Sequence, residues 1–342
     1  MSKVPPKNNI PRLFEAIEHQ DIRVLETLVK YVDLRGYFYC PRTYLTPLER
    51  ACQIGFANGV ECLIKHGAIV SYATDSYAFH KSLLDLAIYS KSLETVTVLC
   101  NAGVPVNTRS GLGCYTPLHL AVLGDQVEIC KELVKRGANI YIQDKQKKIP
   151  FHYCITLGKL SILEFFLERF PTLIHVPNSK GWLPIHKARD AEVLRILLRF
   201  GANVHSKNEQ NLVTPLHRAV YDNYFFSIIQ LLVEHGARVN EEDKYHHTVF
   251  GVLWDGRYLQ CHQSNAKIRH LLENGADPSK DRDIKVQTRS EFGSLKQLQQ
   301  NYKVNVCIQL LVACTKIKRC GAQCKLDLLP VDMLRVLHTF LR

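Results

Sequence analysis

The 342 residues include 44 Lys and Arg against 32 Asp and Glu, a formal net charge of +12, with 46% hydrophobic and 22% charged residues. That balance belongs to a packed chain and excludes disorder as the default state of any long segment. No apolar run approaches the length of about 18 residues that reads as a membrane helix. The basic residues are spread along the chain without a Lys/Arg-rich run, so an acidic protein partner fits the charge better than nucleic acid, and no membrane contact is expected.

The opening Met1-Ser2-Lys3-Val4-Pro5-Pro6 has no apolar core of a secretory signal, so a cytoplasmic or nuclear setting is expected, with the 12 cysteines as thiols. Leu13, Ala16 and Ile17, then Val24, Leu25, Leu28 and Val29, follow at helical spacing and predict a degenerate first helix pair acting as a cap.

One frame then recurs. It is clearest in Thr116-Pro117-Leu118-His119-Leu120-Ala121, continued by Ile129, Leu133 and Gly137. Thr and Pro start a helix, Leu118, Leu120 and Ala121 form its apolar face, and Gly137 ends the second helix with a left-handed cap. The frame returns at Thr46 with Gly67, at Thr214 with Gly236, and in worn form at Ser82 with Gly103. The terminal glycines fall on a ladder of about 34 residues once one missing near Phe170-Pro171 is allowed for. Repeat starts are expected near residues 44, 81, 115, 148, 182, 213 and 247.

A T-P-L-H-x-A frame at this period resembles the ankyrin-repeat family over roughly the first 280 residues. The resemblance implies an all-α solenoid of about 7–8 repeats in residues 1–277, in which each helix pair buries its apolar face only against its neighbours. His186 and Gly201 stand 15 apart where His119 and Gly137 stand 18 apart, so three residues are missing between the helices of the sixth repeat. A tighter turn through Arg189-Asp190-Ala191, tilting the stack, is the expectation. The finger between Gly67 and Ser82 is longer than its counterparts, and an insertion of about six residues is expected around residues 255–264.

Residues 278–293 are charged, lack the repeat frame and read as a linker. In residues 294–342 the apolar groups Val306, Leu310, Ala313, Cys314 and Ile317 line one helix face, and Pro330 opens a second helix with Met333 or Leu334, Leu337, Phe340 and Leu341. Two short helices are too little for an independent core, so this tail must dock on the last repeat or on another protein.

The tail resembles a SOCS box, through Leu310-x-x-x-Cys314 and Leu329-Pro330. The stack and the box together are those of the ankyrin repeat and SOCS box (ASB) family. That resemblance implies a non-catalytic substrate-recognition subunit of an Elongin B/C–cullin ubiquitin ligase, with a target protein on the repeats. Elongin C contacts would be Leu310, Cys314 and Ile317, and cullin contacts Leu329, Pro330 and Leu334. Gln309 and Lys318 depart from the box pattern, and a competing frame opens at Ser294 and Leu298 but has Gln299 in place of Cys. A stand-alone ankyrin scaffold whose tail only caps the stack is the alternative.

No cofactor is implied. His119, His152, His186 and His217 lie in different repeats, about one helix spacing of 8–10 Å apart, too far to share a metal whose ligand distances are about 2 Å. They are expected to bond neighbouring loop backbone. Cys307, Cys314, Cys320 and Cys324 lack the paired C-x2-C spacing of a structural zinc site. Finger tips are free of core constraints, and exposed aromatics there make binding anchors. Tyr72, Tyr77, Phe79, Tyr115, Tyr141 and Trp182 are therefore the candidate target contacts.

Overall fold

The structure is a computed structural model and describes residues 9–34, 45–70, 81–222, 225–254 and 264–277. Tyr72, Tyr77 and Phe79, the insertion around 255–264, the linker, and the tail residues Leu310, Cys314, Ile317, Leu329, Pro330 and Leu334 lie outside the described residues, apart from Ser264.

Helices occur in pairs. α1 (Asn9–Glu18) pairs with α2 (Ile22–Leu28), α3 (Pro47–Ile54) with α4 (Ala57–Lys65), and α5 (Leu83–Tyr89) with α6 (Leu93–Asn101). α7 (Pro117–Leu123) pairs with α8 (Val127–Lys135), α9 (Pro150–Leu157) with α10 (Leu160–Arg169), α11 (Pro184–Lys187) with α12 (Ala191–Arg199), and α13 (Pro215–Tyr221) with α14 (Phe226–Glu234). These form one compact unit, residues 1–238. A second unit, residues 239–342, contains α15 (Val249–Trp254) and α16 (Ser264–Glu273), which pack on each other. Among the described residues the only extended pairings are two isolated bridges in the fingers, Ser110 with Tyr115 and Glu242 with Thr248.

Within the first unit, first helices pack on first helices in the order α1, α3, α5, α7, α9, α11, α13, and second helices on second helices from α2 to α14. The apolar frame explains both rows. Leu118, Ala121, Cys130 and Leu133 are fully buried, as are Leu216, Ala219 and Leu194. Each such leucine contributes about 1.5–3 kcal/mol relative to an exposed one, and its cover comes from the paired helix and the neighbouring repeats.

Both ends of each pair are set by local chemistry. Thr116 Oγ1 accepts from the His119 N–H and Thr46 Oγ1 from the Glu49 N–H, satisfying orphan donors of the first turn. At the other end Gly201 has φ +89°, its N–H donates to Leu198 O at 3.0 Å, and Ala202 N–H donates to Leu197 O at 2.9 Å, a Schellman closure that recurs at Gly67, Gly103, Gly137, Gly236 and Gly275. In the fifth repeat, where that glycine is missing, Phe170 has φ −137° and a 3-10 turn, Pro171–His175, follows with Leu173 and Ile174 buried.

The sixth repeat corrects the expectation of a tighter turn. α11 is only four residues long, Ala188 is extended at φ −67° and ψ 106°, and Asp190 caps a full-length α12 by accepting from the Glu192 and Val193 N–H groups. The missing residues have come out of the last turn of the first helix. α12 could not give them up, because Val193, Leu194, Ile196 and Leu197 are all buried.

The histidines do what their spacing predicts. His119 Nε2 lies 3.1 Å from Lys148 O, His152 Nε2 3.3 Å from Val176 O, and His186 Nε2 3.0 Å from Val213 O, each carbonyl belonging to the following finger. Nδ1 of His119 accepts from the Thr116 N–H and Nδ1 of His152 from the Ile149 N–H, which assigns the proton to Nε2 and makes it the donor to the carbonyl. Burial lowers the pKa of all three, that of His186 to about 4.

Two predictions follow from this construction. A histidine that ionises near 6.5 when unfolded and only near 4 when folded holds its full contribution above pH 6.5 and loses it as pH falls toward 4, so His186 alone should cost the fold about 3 kcal/mol over that window. Thermal melts across that range should show the fall, and His186→Gln should flatten it. In the second, Gly201→Ala should cost about 1–2 kcal/mol from left-handed strain alone, since nothing lies within 4 Å of an added Cβ. Asp125→Gly, at φ +58°, should be near neutral in the same melts.

Candidate target-binding surface

The exposed side of the first-helix row and the finger tips together form the surface that core packing leaves free. On the helices the position four after the His, Glu or Asp of the cap is occupied by the exposed Gln53, Tyr89 and Thr156 and the half-buried Leu123 and Tyr221, and the adjoining position in α9 is Leu157. Tyr89 is 54% exposed with Lys81 Nζ 4.0 Å above its ring, and Leu157 is 49% exposed. The finger tips add Leu112, Leu212 and Tyr141, of which Tyr141 is 50% exposed.

The candidate aromatics separate by environment. Tyr141 stands out in solvent, its N–H fixed by Asn139 Oδ1 at 2.9 Å. Tyr115 is half-buried, 5.9 Å from the His119 ring and 6.2 Å edge-on to Tyr153. Trp182, in the equivalent place one residue before the helix cap, is only 9% exposed. Its ring is covered by Arg218, whose guanidinium carbon is 4.6 Å from the centroid, by Lys187 at 5.7 Å and by the His186 ring at 5.5 Å. The structure therefore does not bring Tyr115, Tyr141 and Trp182 together as equally open contacts. Burial of an aromatic before a cap depends on side chains from the next repeat, and a single finger carries no trace of that in its sequence.

Several organising residues had no individual signal in the sequence. Asp144 is buried and its Oδ1 accepts from the Gln146 and Lys148 N–H groups, while the Tyr153 hydroxyl donates to its Oδ2 at 2.5 Å. Burial and that bond raise the pKa of the Tyr153 phenol. Asn107 reaches into the following repeat, donating to Gly137 O and accepting from the Asn139 N–H. Asn240 makes the same pair of bonds with Gly275 O and the Asp277 N–H. The signal available was an Asn four residues after a capping glycine, in Gly103 to Asn107 and Gly236 to Asn240.

Cys52, Cys62, Cys130 and Cys154 are free and buried, and burial raises their thiol pKa values, so they pack as small apolar groups. Among the described residues no helix is long and apolar enough to cross a membrane.

Comparison with known proteins agrees with this geometry. The family model for ankyrin repeats in three copies matches residues 151–243, and the single ankyrin-repeat model matches residues 114–145. Alpha-latrotoxin-Lg1a of Latrodectus geometricus is 34% identical over 119 residues, 33% of this chain and 9% of the toxin. The nuclear factor NF-kappa-B p105 subunit of Gallus gallus is 32% identical over 120 residues, 34% of this chain and 12% of that protein. The chain thus spans only about a tenth of the length of either relative. The crystal structure of the human ASB11 ankyrin repeat domain superposes with a TM-score of 0.53 at 23% identity, covering 66% of this chain and 98% of that one, a likeness of fold. Residues 114–145 and 151–243 are ankyrin repeats, and the stack they belong to is a protein–protein interaction domain.

Proposed function

We propose that the chain is the substrate-recognition subunit of an Elongin B/C–cullin ubiquitin ligase, binding a target protein through its repeats and the ligase through residues 294–342. The observation that carries this reading is one of order along the chain. A stack of ankyrin repeats is followed by Leu310-x-x-x-Cys314 and then by Leu329-Pro330, the two SOCS-box elements in their proper sequence. In this reading Leu310, Cys314 and Ile317 meet Elongin C, and Leu329, Pro330 and Leu334 meet the cullin. The chain makes and breaks no bonds. It holds a target so that the target's lysines meet a ubiquitin-loaded partner, which turns binding at the repeats into modification.

The target face is the exposed first-helix row with the finger tips. Tyr72, Tyr77 and Phe79 belong to its longest finger, and Tyr141 is its open aromatic contact. Tyr115 and Trp182 contribute by holding charged and aromatic neighbours in place.

Co-expression with Elongin B/C tests the assignment. The full chain should copurify with both in stoichiometric amount, and Leu310→Ala with Cys314→Phe should abolish capture while leaving the melting of the repeats unchanged. Truncating a buried leucine costs about 2–5 kcal/mol locally, and the repeats do not share that loss. Replacing Leu329 and Pro330 by Ala should weaken cullin recruitment and spare Elongin C. Retained Elongin C in the Leu310/Cys314 variant would discard this frame in favour of Ser294–Leu298.

A further inference from the structure

The sixth repeat combines a shortened helix with a local concentration of cations. α11 ends at Lys187, so the position held on the helix elsewhere by Gln53, Tyr89, Leu123, Thr156 and Tyr221 is absent from the helix here. Three basic side chains gather about Trp182 and Asp222. Lys187 Nζ and the Arg218 guanidinium flank the Trp182 ring at 5.7 and 4.6 Å. Arg218 pairs with Asp222 at 2.6 Å, and Arg189, from the segment that follows α11, reaches the same Asp222 oxygen at 3.6 Å. Lys187 has no carboxylate within 4.0 Å among the described residues.

We propose that Lys187, Arg189 and Arg218, organised on Trp182, form the subsite that holds a carboxylate from an acidic segment of the target protein. The proposal rests on the reading of the repeats as the target-binding part and supplies the chemistry of that target. Four features support it. An indole stacked against a guanidinium fixes the side chain before a ligand arrives, so less rotamer entropy is lost on binding. Arg and Trp in partly desolvated settings are the residue types that dominate protein interfaces. Desolvation, and then the charge of Arg218, push the Lys187 ammonium down from its usual range against the opposing pull of Asp222, with Arg189 and Lys180 adding to the fall, and an incoming anion would relieve that. The net charge of +12 provides long-range attraction of the same sign.

The arginines already hold one carboxylate, since Asp222 lies 2.6 Å from Arg218 and 3.6 Å from Arg189, and a second carboxylate is an anion of the same geometry for the donors that remain. Lys187 is the cation left to the ligand, and Arg218 can offer a second oxygen its remaining N–H groups.

Fluorescence anisotropy on the full chain tests this with three short labelled peptides of one length: Glu-rich, the same with Gln for each Glu, and the same with phosphoserine for each Glu. The Glu peptide should bind more tightly than the Gln peptide. Lys187→Glu should weaken it by about tenfold, and Asp222→Asn should tighten it. Melting curves of each variant monitor the fold. If Lys187→Glu fails to fold, Lys187→Gln with Arg189→Gln replaces it and should give the same direction. Equal binding of Glu and Gln peptides, or an unchanged titration in the folded charge variants, overturns the proposal. Tighter binding of the phosphoserine peptide overturns the carboxylate assignment in favour of phosphate. Elongin B/C capture by the same variants is read in parallel. Its absence in every variant while Glu-peptide binding persists would discard the ligase reading alone.

Discussion

The bond on which the stack depends runs from an imidazole Nε2–H to a carbonyl in the next finger. In His119 and His152 the opposite ring nitrogen accepts from the backbone N–H at the start of its own helix, so one rigid ring measures the distance between a helix cap and the following repeat. A longer flexible side chain could reach the same carbonyl but would not hold the cap and the neighbour at a fixed separation. The neutral ring is required, because a second proton on Nδ1 would face a donor that has no other acceptor. Burial enforces that state through desolvation, as it does for His186.

Where the histidine is replaced the solution changes. Glu49 Oε2 accepts from the Thr46 N–H and Asp85 Oδ2 from the Ser82 N–H, both at 2.7 Å, which reproduces the cap. A carboxylate cannot donate onward to a carbonyl. Asp85 is buried, which raises the pKa of its carboxyl, and the Ser110 hydroxyl of the following finger pulls in the opposite direction. Asp85 Oδ1 is buried with no hydrogen-bond partner, and the Ser110 hydroxyl donates to Tyr115 O at 3.4 Å, so the cap is reproduced there while the onward histidine bond has no counterpart. In the second repeat α1 is tied in a different way again, the Arg50 guanidinium gripping the Glu18 carboxylate with two bonds of 2.8 and 2.7 Å. That pair is partly exposed, and its contribution is screened accordingly.

What could be read from the sequence is what the repeat period makes local. The Thr-Pro start and the capping glycine act within one helix pair and the histidine reaches a finger one repeat on, so helix order, the left-handed positions and the finger bonds of the histidines all follow from spacing. The placement of the three-residue loss did not, because it depends on which helix can surrender a turn. That in turn depends on the burial of Val193 to Leu197 by neighbouring repeats. Trp182 is the other instance. As a letter it is a large aromatic at a finger, like Tyr141, yet Arg218 from the next repeat covers Trp182 while Tyr141 stays half exposed. The two asparagines that bridge repeats, Asn107 and Asn240, sit in ordinary finger positions and show their role only once the next capping glycine is beside them.

A stack of repeats can vary cheaply only where neither neighbour uses the residue. The last turn of a first helix holds such positions in the exposed Gln53, Tyr89 and Thr156, beside the buried Ile88, Ile155 and Val220. Deleting it at the sixth repeat leaves the second-helix row unbroken, with α12 still packed on both α10 and α14. Arg189, in the connecting segment, lies 3.6 Å from Asp222 at the end of α13, and Lys187 flanks the Trp182 ring that Arg218 of α13 covers. The same economy that spares the core therefore concentrates charge on the open face, and the feature that most distinguishes this repeat from its neighbours falls on the side where a partner would be met.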